Sequence, residues 1–214
     1  MEQIRTFCRA IFAGVAISLG GMCFLSIENR VIGALFFTVG LFLVCTRGYD
    51  LYTGKVCYAR AGRDFLRLPV ILAGNLAGTA LMGSVLRLTR AADAWMQKAQ
   101  GLMQIKTEDG LLSLFLLGIF CNIFIFIAVD GYRSAADGVA KYLSLFFGVG
   151  GFILCGTEHI VADLFYFFLS GTFSVRAVIC LLAVLAGNTV GGLGYSLLEQ
   201  AVKKERPASP GQKQ

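Results

Sequence analysis

The chain has 214 residues, of which 57% are apolar and only 15% charged, with a mean hydropathy of +0.72 and a formal charge of +6. A soluble domain carries roughly a quarter charged residues, so this composition excludes a disordered protein, a disulfide-stapled secreted module and most soluble enzymes. At about 20 residues per crossing plus short loops, the length holds six or seven membrane helices and no sizeable domain outside the bilayer.

Apolar runs bounded by charge predict six spans, at about 7–27, 31–46 with an extension to about 60, 67–89, 110–130, 139–169 and 174–200. The first continues as a span with no small-residue cleavage site behind it, so no cleavable signal is expected. The turns at Glu28-Asn29-Arg30 and from Ser170 to Ser174 are very short. The longest connection, Arg90 to Asp109, reads as a polar loop in which Trp95, the only tryptophan, serves as an interface anchor. Residues 1–200 are expected to form one transmembrane domain and 201–214 a polar cytoplasmic tail. The 26 glycines suit close helix packing in lipid.

Lys and Arg set the orientation. With the N-terminus in the cytoplasm, eleven of them fall on the cytoplasmic side and six on the other, so both termini are expected inside and the chain is expected in the inner (plasma) membrane. No basic run is interleaved with aromatic residues, which argues against a nucleic-acid partner. The seven cysteines have no CxxC or CxxH spacing and read as reduced packing residues, with neither a metal site nor a cofactor. One histidine, with no HExxH and no GxSxG, leaves no catalytic set, so an enzyme is not expected.

The two halves share patterns in the same order. Ala73-Gly74-Asn75-Leu76-Ala77-Gly78 matches Ala186-Gly187-Asn188-Thr189-Val190-Gly191, and Gly48-Tyr49-Asp50-Leu51 matches Gly156-Thr157-Glu158-His159. A weaker echo pairs Gly14-Val15 with Gly118-Ile119. Ordered matches point to a duplicated three-helix unit, repeat 1 over about 7–89 and repeat 2 over about 110–200. A unit with three crossings inserts its second copy upside down, which predicts a pseudo-two-fold axis in the membrane plane.

The best-matched element interrupts a span in both copies. Residues 139–169 are too long for one crossing and break at Gly156; span two breaks at Gly48. Irregular backbone at membrane depth must be buried in protein or line a wet cavity. Gly48 and Gly156 supply permissive backbone, while Asp50 and Glu158 stand where a second half-helix starts and are expected to cap it. Half-helix N-termini at the midplane attract anions, and His159 lies at that centre, where an ionisable residue is costly and points to function.

These residues resemble a known family. Gly48-Tyr49-Asp50-Leu51-Tyr52-Thr53-Gly54 is similar to Gly-Ala-Asp/Glu-Leu-Phe-Thr-Gly/Ser, and Gly156-Thr157-Glu158-His159-Ile160-Val161-Ala162-Asp163 to Gly-Phe-Glu-His-Ser-x-Ala-Asn. With the two Gly-Asn-x-x-Gly elements and Leu117-Gly118-Ile119-Phe120-Cys121-Asn122, they resemble the formate/nitrite transporter family across spans one to six. The resemblance implies an all-α, aquaporin-like fold of six transmembrane helices as two inverted repeats, with helices two and five broken. It also implies a homopentamer with a pore in each subunit, passing formate, nitrite, acetate, lactate or hydrosulfide.

By position, the resemblance puts Thr53 across the pore from His159, Leu41 and Leu51 at a cytoplasmic-side constriction, and Phe37 and Phe152 at the other. Lys106 matches the outer-vestibule lysine and Asn122 the asparagine of the fourth span. Lys106 is then expected to gather anions, and His159 to give a proton or a hydrogen bond between the two constrictions. Asp163, Ile160 and Arg47 depart from the family pattern.

Overall fold

A computed structural model describes residues 1–205. Among these the regular structure is helical: α1 (Glu2–Ser26), α2 (Arg30–Arg47), α3 (Tyr52–Val56), α4 (Gly62–Leu86), α5 (Ala92–Glu108), α6 (Leu111–Ser134), α7 (Gly138–Leu154), α8 (Ile160–Ser170) and α9 (Val175–Glu205). Helices α1, α2, α4, α6 and α9 are long and apolar enough to cross a membrane; α7 and α8 are shorter apolar helices. Outward-facing positions such as Phe12, Phe36, Leu112, Phe147 and Leu182 are exposed, as expected of surfaces solvated by lipid. The chain is a multi-pass membrane protein.

Local chemistry sets the helix ends. Asn29 starts α2, its Oδ1 accepting from the N–H groups of Val31 and Ile32 at 3.0 Å each. Asp137 starts α7 by accepting from Ala140 N at 2.7 Å. Gly48 and Gly156 have φ of 65° and 68°, a left-handed conformation that glycine adopts without steric cost, and the chain turns out of helix at each.

The helices pack as two similar clusters, α1 with α2 and α4, and α6 with α7 and α9; α2 meets α7, and α8 threads between α4 and α5. Glycine lets the backbones approach. A Cβ on Gly74 or Gly78 of α4 would strike the backbone of Phe7 or Ile11 on α1, and one on Gly187 or Gly191 of α9 would strike Phe115 or Ile119 on α6. These pairs put α6 residues 108 positions after their α1 equivalents, so Gly118 corresponds to Ala10 and not to Gly14. The weaker echo was one helical turn out of register.

Two further expectations change. The segment between Arg90 and Asp109 is not a loop, because α5 occupies most of it and buries Ala92, Ala99, Met103 and Lys106. Trp95 on α5 donates from Nε1 to Ser26 Oγ at 2.9 Å, tying this helix to the end of α1. Helix α9 continues to Glu205, into the segment read as tail; residues 206–214 lie outside the described residues.

Candidate functional site

The breaks after α2 and α7 bring two helix starts together. Thr53, in the first turn of α3, and His159, the residue before α8, are buried, with Thr53 Oγ1 at 2.9 Å from His159 Nε2. His159 Nδ1 accepts from the Ala162 N–H at 3.1 Å, so the imidazole caps α8. That bond fixes the tautomer: a nitrogen that accepts carries no proton, so the neutral ring bears its hydrogen on Nε2 and donates it to Thr53. The threonine's own O–H is then left to donate elsewhere.

A pair of asparagines holds the backbone of both breaks. Asn75 on α4 donates from Nδ2 to Ala10 O at 2.8 Å and Asp50 O at 2.9 Å, and its Oδ1 accepts from Tyr52 N at 2.8 Å. Asn188 on α9 donates to Gly118 O and Glu158 O, both at 2.8 Å, and accepts from Ile160 N at 2.9 Å. The helix starts are thus satisfied by these amides and by His159. The carboxylates of Asp50 and Glu158 do not cap them. Asp50 Oδ2 lies 3.3 Å from Arg9 Nε and its Oδ1 2.8 Å from Lys55 Nζ, while Arg9 also donates to the Gly48 carbonyl. Glu158 is paired with Lys106.

Lys106 does not stand free at a pore mouth. It is 8% exposed and lies between Glu158 and Asp163, with Asp163 Oδ1 at 3.1 Å. It sits on α5, outside the candidate spans. Burial alone would push its ammonium down, but Asp163 and Glu158 outweigh this and hold it above the ordinary lysine value, so it stays a cation. These groups line a cavity of about 460 Å³ with Phe37, Phe152, His159, Arg30 and Tyr166.

The expected constriction residues are all buried. Phe37 and Phe152 pack edge to face with centroids 5.8 Å apart, and Phe152 stacks on His159 at 5.6 Å. Phe37 and Phe152 line the cavity side by side with His159. Leu41 and Leu51 are each 1% exposed in the same core. Asn122 donates to Thr53 O at 3.1 Å, and its Oδ1 is buried without a partner. The half-helices are unequal. With five residues α3 has almost no macrodipole, so the positive end at this centre belongs chiefly to the eleven-residue α8.

Sequence reasoning missed Ala162, whose backbone fixes the imidazole, and the partner set of Lys106. Both depend on contacts that no single motif contains. Among the described residues no group of His, Cys, Asp and Glu could hold a metal ion.

A bundle of apolar helices long enough to cross a membrane, with buried polar side chains meeting inside it, suits a transport protein. The chain matches the formate/nitrite transporter family over residues 1–198 and belongs to it, a family of transporters and channels. It is 28% identical over 218 residues to a nitrite transporter of Salmonella typhimurium, covering 89% of this chain and 78% of that protein. An uncharacterized transporter of Saccharomyces cerevisiae is 28% identical over 190 residues, 79% of this chain, and the match spans only 30% of that longer relative. A solved pentameric formate channel with formate bound has the same fold, with a TM-score of 0.85 at 22% identity over 96% of this chain and 98% of that one.

Proposed function

We propose that the chain forms a pore for small monovalent weak-acid anions, with formate or nitrite as first candidates. Six crossings, with α2–α3 and α7–α8 as the broken ones, form two inverted three-helix repeats in an aquaporin-like arrangement. Both termini face the cytoplasm, and a homopentamer carries one pore in each subunit. The atom-for-atom match of the Asn75 and Asn188 contacts supports the repeat, and the pentameric formate channel of like fold supports the assembly.

The carrying observation is the Thr53–His159 contact, buried beside the Phe37/Phe152 pair and the Leu41 and Leu51 side chains. An anion entering an apolar constriction loses hydration at a cost of several kcal/mol or more, which neutral donors must offset. The imidazole Nε2–H points into Thr53 Oγ1, and the threonine hydroxyl presents its proton to the anion. His159 acts as the positioning hydrogen-bond donor of this pair. Giving up a proton would first require the imidazolium, whose Nδ1–H would confront the Ala162 N–H. A weak acid crosses most readily because it can also take a proton from solution; a strong-acid anion cannot.

The test is swelling of proteoliposomes carrying the purified protein. Swelling in sodium formate or nitrite but not in sodium sulfate is expected. Equal swelling in all three, or in none, rejects the reading. Acetate, lactate and hydrosulfide in the same assay rank the alternative substrates on this fold.

A further inference from the structure

The two breaks are built alike in backbone but carry opposite charge balances. Five residues after Asp50 stands Lys55, which pairs with it; five residues after Glu158 stands Asp163, an acid where the first copy has a base. The Asp50 cluster holds one carboxylate and two cations, Arg9 and Lys55, whose side chains are 52% and 45% exposed. The Glu158 cluster holds two carboxylates and one cation, Lys106, and all three are under 10% exposed. Ionised throughout, this buried cluster would bear an uncompensated negative charge, which burial disfavours. Asp163 Oδ2 is buried with no partner among the protein atoms, and Asp163 lines the 460 Å³ cavity.

We propose that Asp163, whose Oδ2 is buried without a partner, holds a proton, and that an anion enters past Lys106 only while that proton is present. The inference rests on the anion-pore reading above and makes Asp163 a specificity-determining residue. With the proton on Asp163, the cluster of Lys106 and Glu158 is neutral and an anion meets no net repulsion. Without it, the cluster carries one negative charge at the pore mouth, and Lys106 cannot attract anions because its charge is already spent on two carboxylates. Two carboxylates around one cation do not ionise together as easily as one does.

Other ionisable groups stand near Asp163: His159 lines the same cavity, and Arg30 adds a cation to its rim. From α8 itself Tyr166 lines the cavity, and from α6 and α9 the thiols of Cys121 and Cys180 lie in the same field. Arg30, from the start of α2, lines the rim and directs Nη2 to the carbonyls of Ile153 and Leu154 at 3.3 and 3.4 Å. Helices α3 and α4 place Lys55, Asp64 and Arg67 around the other cavity, beside Asp50, and Arg63 lies with Glu2.

The test compares wild type, Asp163→Asn and Asp163→Glu in proteoliposomes. Formate entry is followed by stopped-flow light scattering, with equal pH inside and outside, from about pH 5 to about pH 9. Entry through Asp163→Asn, whose cluster is one cation and one anion at every pH, should match wild type at acid pH. It should exceed wild type by at least about tenfold at alkaline pH, since one charge at a focused mouth changes entry by that order. Asp163→Glu should follow wild type.

Infrared difference spectra of the same samples provide a readout independent of flux. A protonated carboxylic C=O band at neutral pH, shifted by Asp163→Glu and moved by D₂O, is expected. That band also decides the matter if Asp163→Asn fails to assemble, and its absence from wild type overturns the proposal. Flux with a pH-independent ratio overturns this inference alone, whereas no formate flux in any protein overturns the pore reading as well.

Discussion

Asn188 and Asn75 hold the two chain breaks with the same atoms. Each amide donates twice, to one carbonyl of a neighbouring long helix and one carbonyl of the break, and accepts once from the first N–H of the half-helix. Both side chains are fully buried, so no water replaces them. Asn188→Ala leaves two carbonyls and one N–H unpaired, each costing about 1–3 kcal/mol, for an expected loss of roughly 3 kcal/mol or more. Thermal unfolding in detergent should show a large drop in Tm for Asn188→Ala and for Asn75→Ala. A shift within error for either would mean that its amide does not hold the break.

Much of this arrangement was legible in the chain. The repeated Gly-Asn-x-x-Gly elements singled out Asn75 and Asn188, and the repeated glycines Gly48 and Gly156; in the structure α2 ends at Gly48, the chain turns at Gly156, and each asparagine bonds the backbone beside one of them. Helix α5 was not seen, although Ala92, Ala99, Met103 and Lys106 repeat at helical spacing along it. Its low overall hydrophobicity masked that stripe. Asp50 and Glu158 were correctly placed at the breaks but wrongly given the caps, because motif spacing does not show that Lys55, Arg9 and Lys106 converge on them. The imidazole tautomer was also out of reach, since it turns on one backbone N–H.

Lys106 is the one cation paired with two buried carboxyl groups, so its removal should cost stability before it costs anion attraction. Breaking a buried pair from one side typically costs about 3–5 kcal/mol, and Lys106→Met is expected to fall in that range. Because the folded-state pKa is raised, the contribution is fully present below the ordinary lysine value of 10.5 and is lost only as pH rises through the higher folded value. Thermal stability should therefore show no loss from Lys106 titration up to the ordinary value of 10.5. An alkaline transition below it, abolished by Lys106→Met, would contradict the buried pairing.

The Thr53–His159 pair separates positioning from capping. His159→Asn keeps a good helix-capping acceptor for α8 but is too short to reach Thr53, so Tm should change by less than a cap loss of about 1 kcal/mol while formate flux falls at least tenfold. Thr53→Val removes the hydroxyl at constant shape and should lose flux similarly, with Thr53→Ser retaining most of it. Flux unchanged in Thr53→Val would remove the hydroxyl from the pathway. A pH-dependent rescue confined to His159 variants would instead restore a proton-donating role.

Glycines at the breaks and at the helix crossings should respond differently to one added methyl group. At Gly48, with φ of 65°, the nearest atom to a new Cβ is Arg9 Nη2 at 3.5 Å, an ordinary contact. Gly48→Ala therefore costs only the left-handed backbone penalty, about 1–2 kcal/mol. At Gly187 a Cβ would overlap the carbonyl of Phe115 on α6, and neither helix backbone can yield locally. Gly187→Ala must separate α6 from α9 and pull Asn188 away from Gly118, so it should exceed the Gly48→Ala loss severalfold and weaken the break before α8 with it. Paired measurements of Tm and formate flux check this order. A Gly48→Ala protein less stable than Gly187→Ala would show that the crossings are not packed this closely.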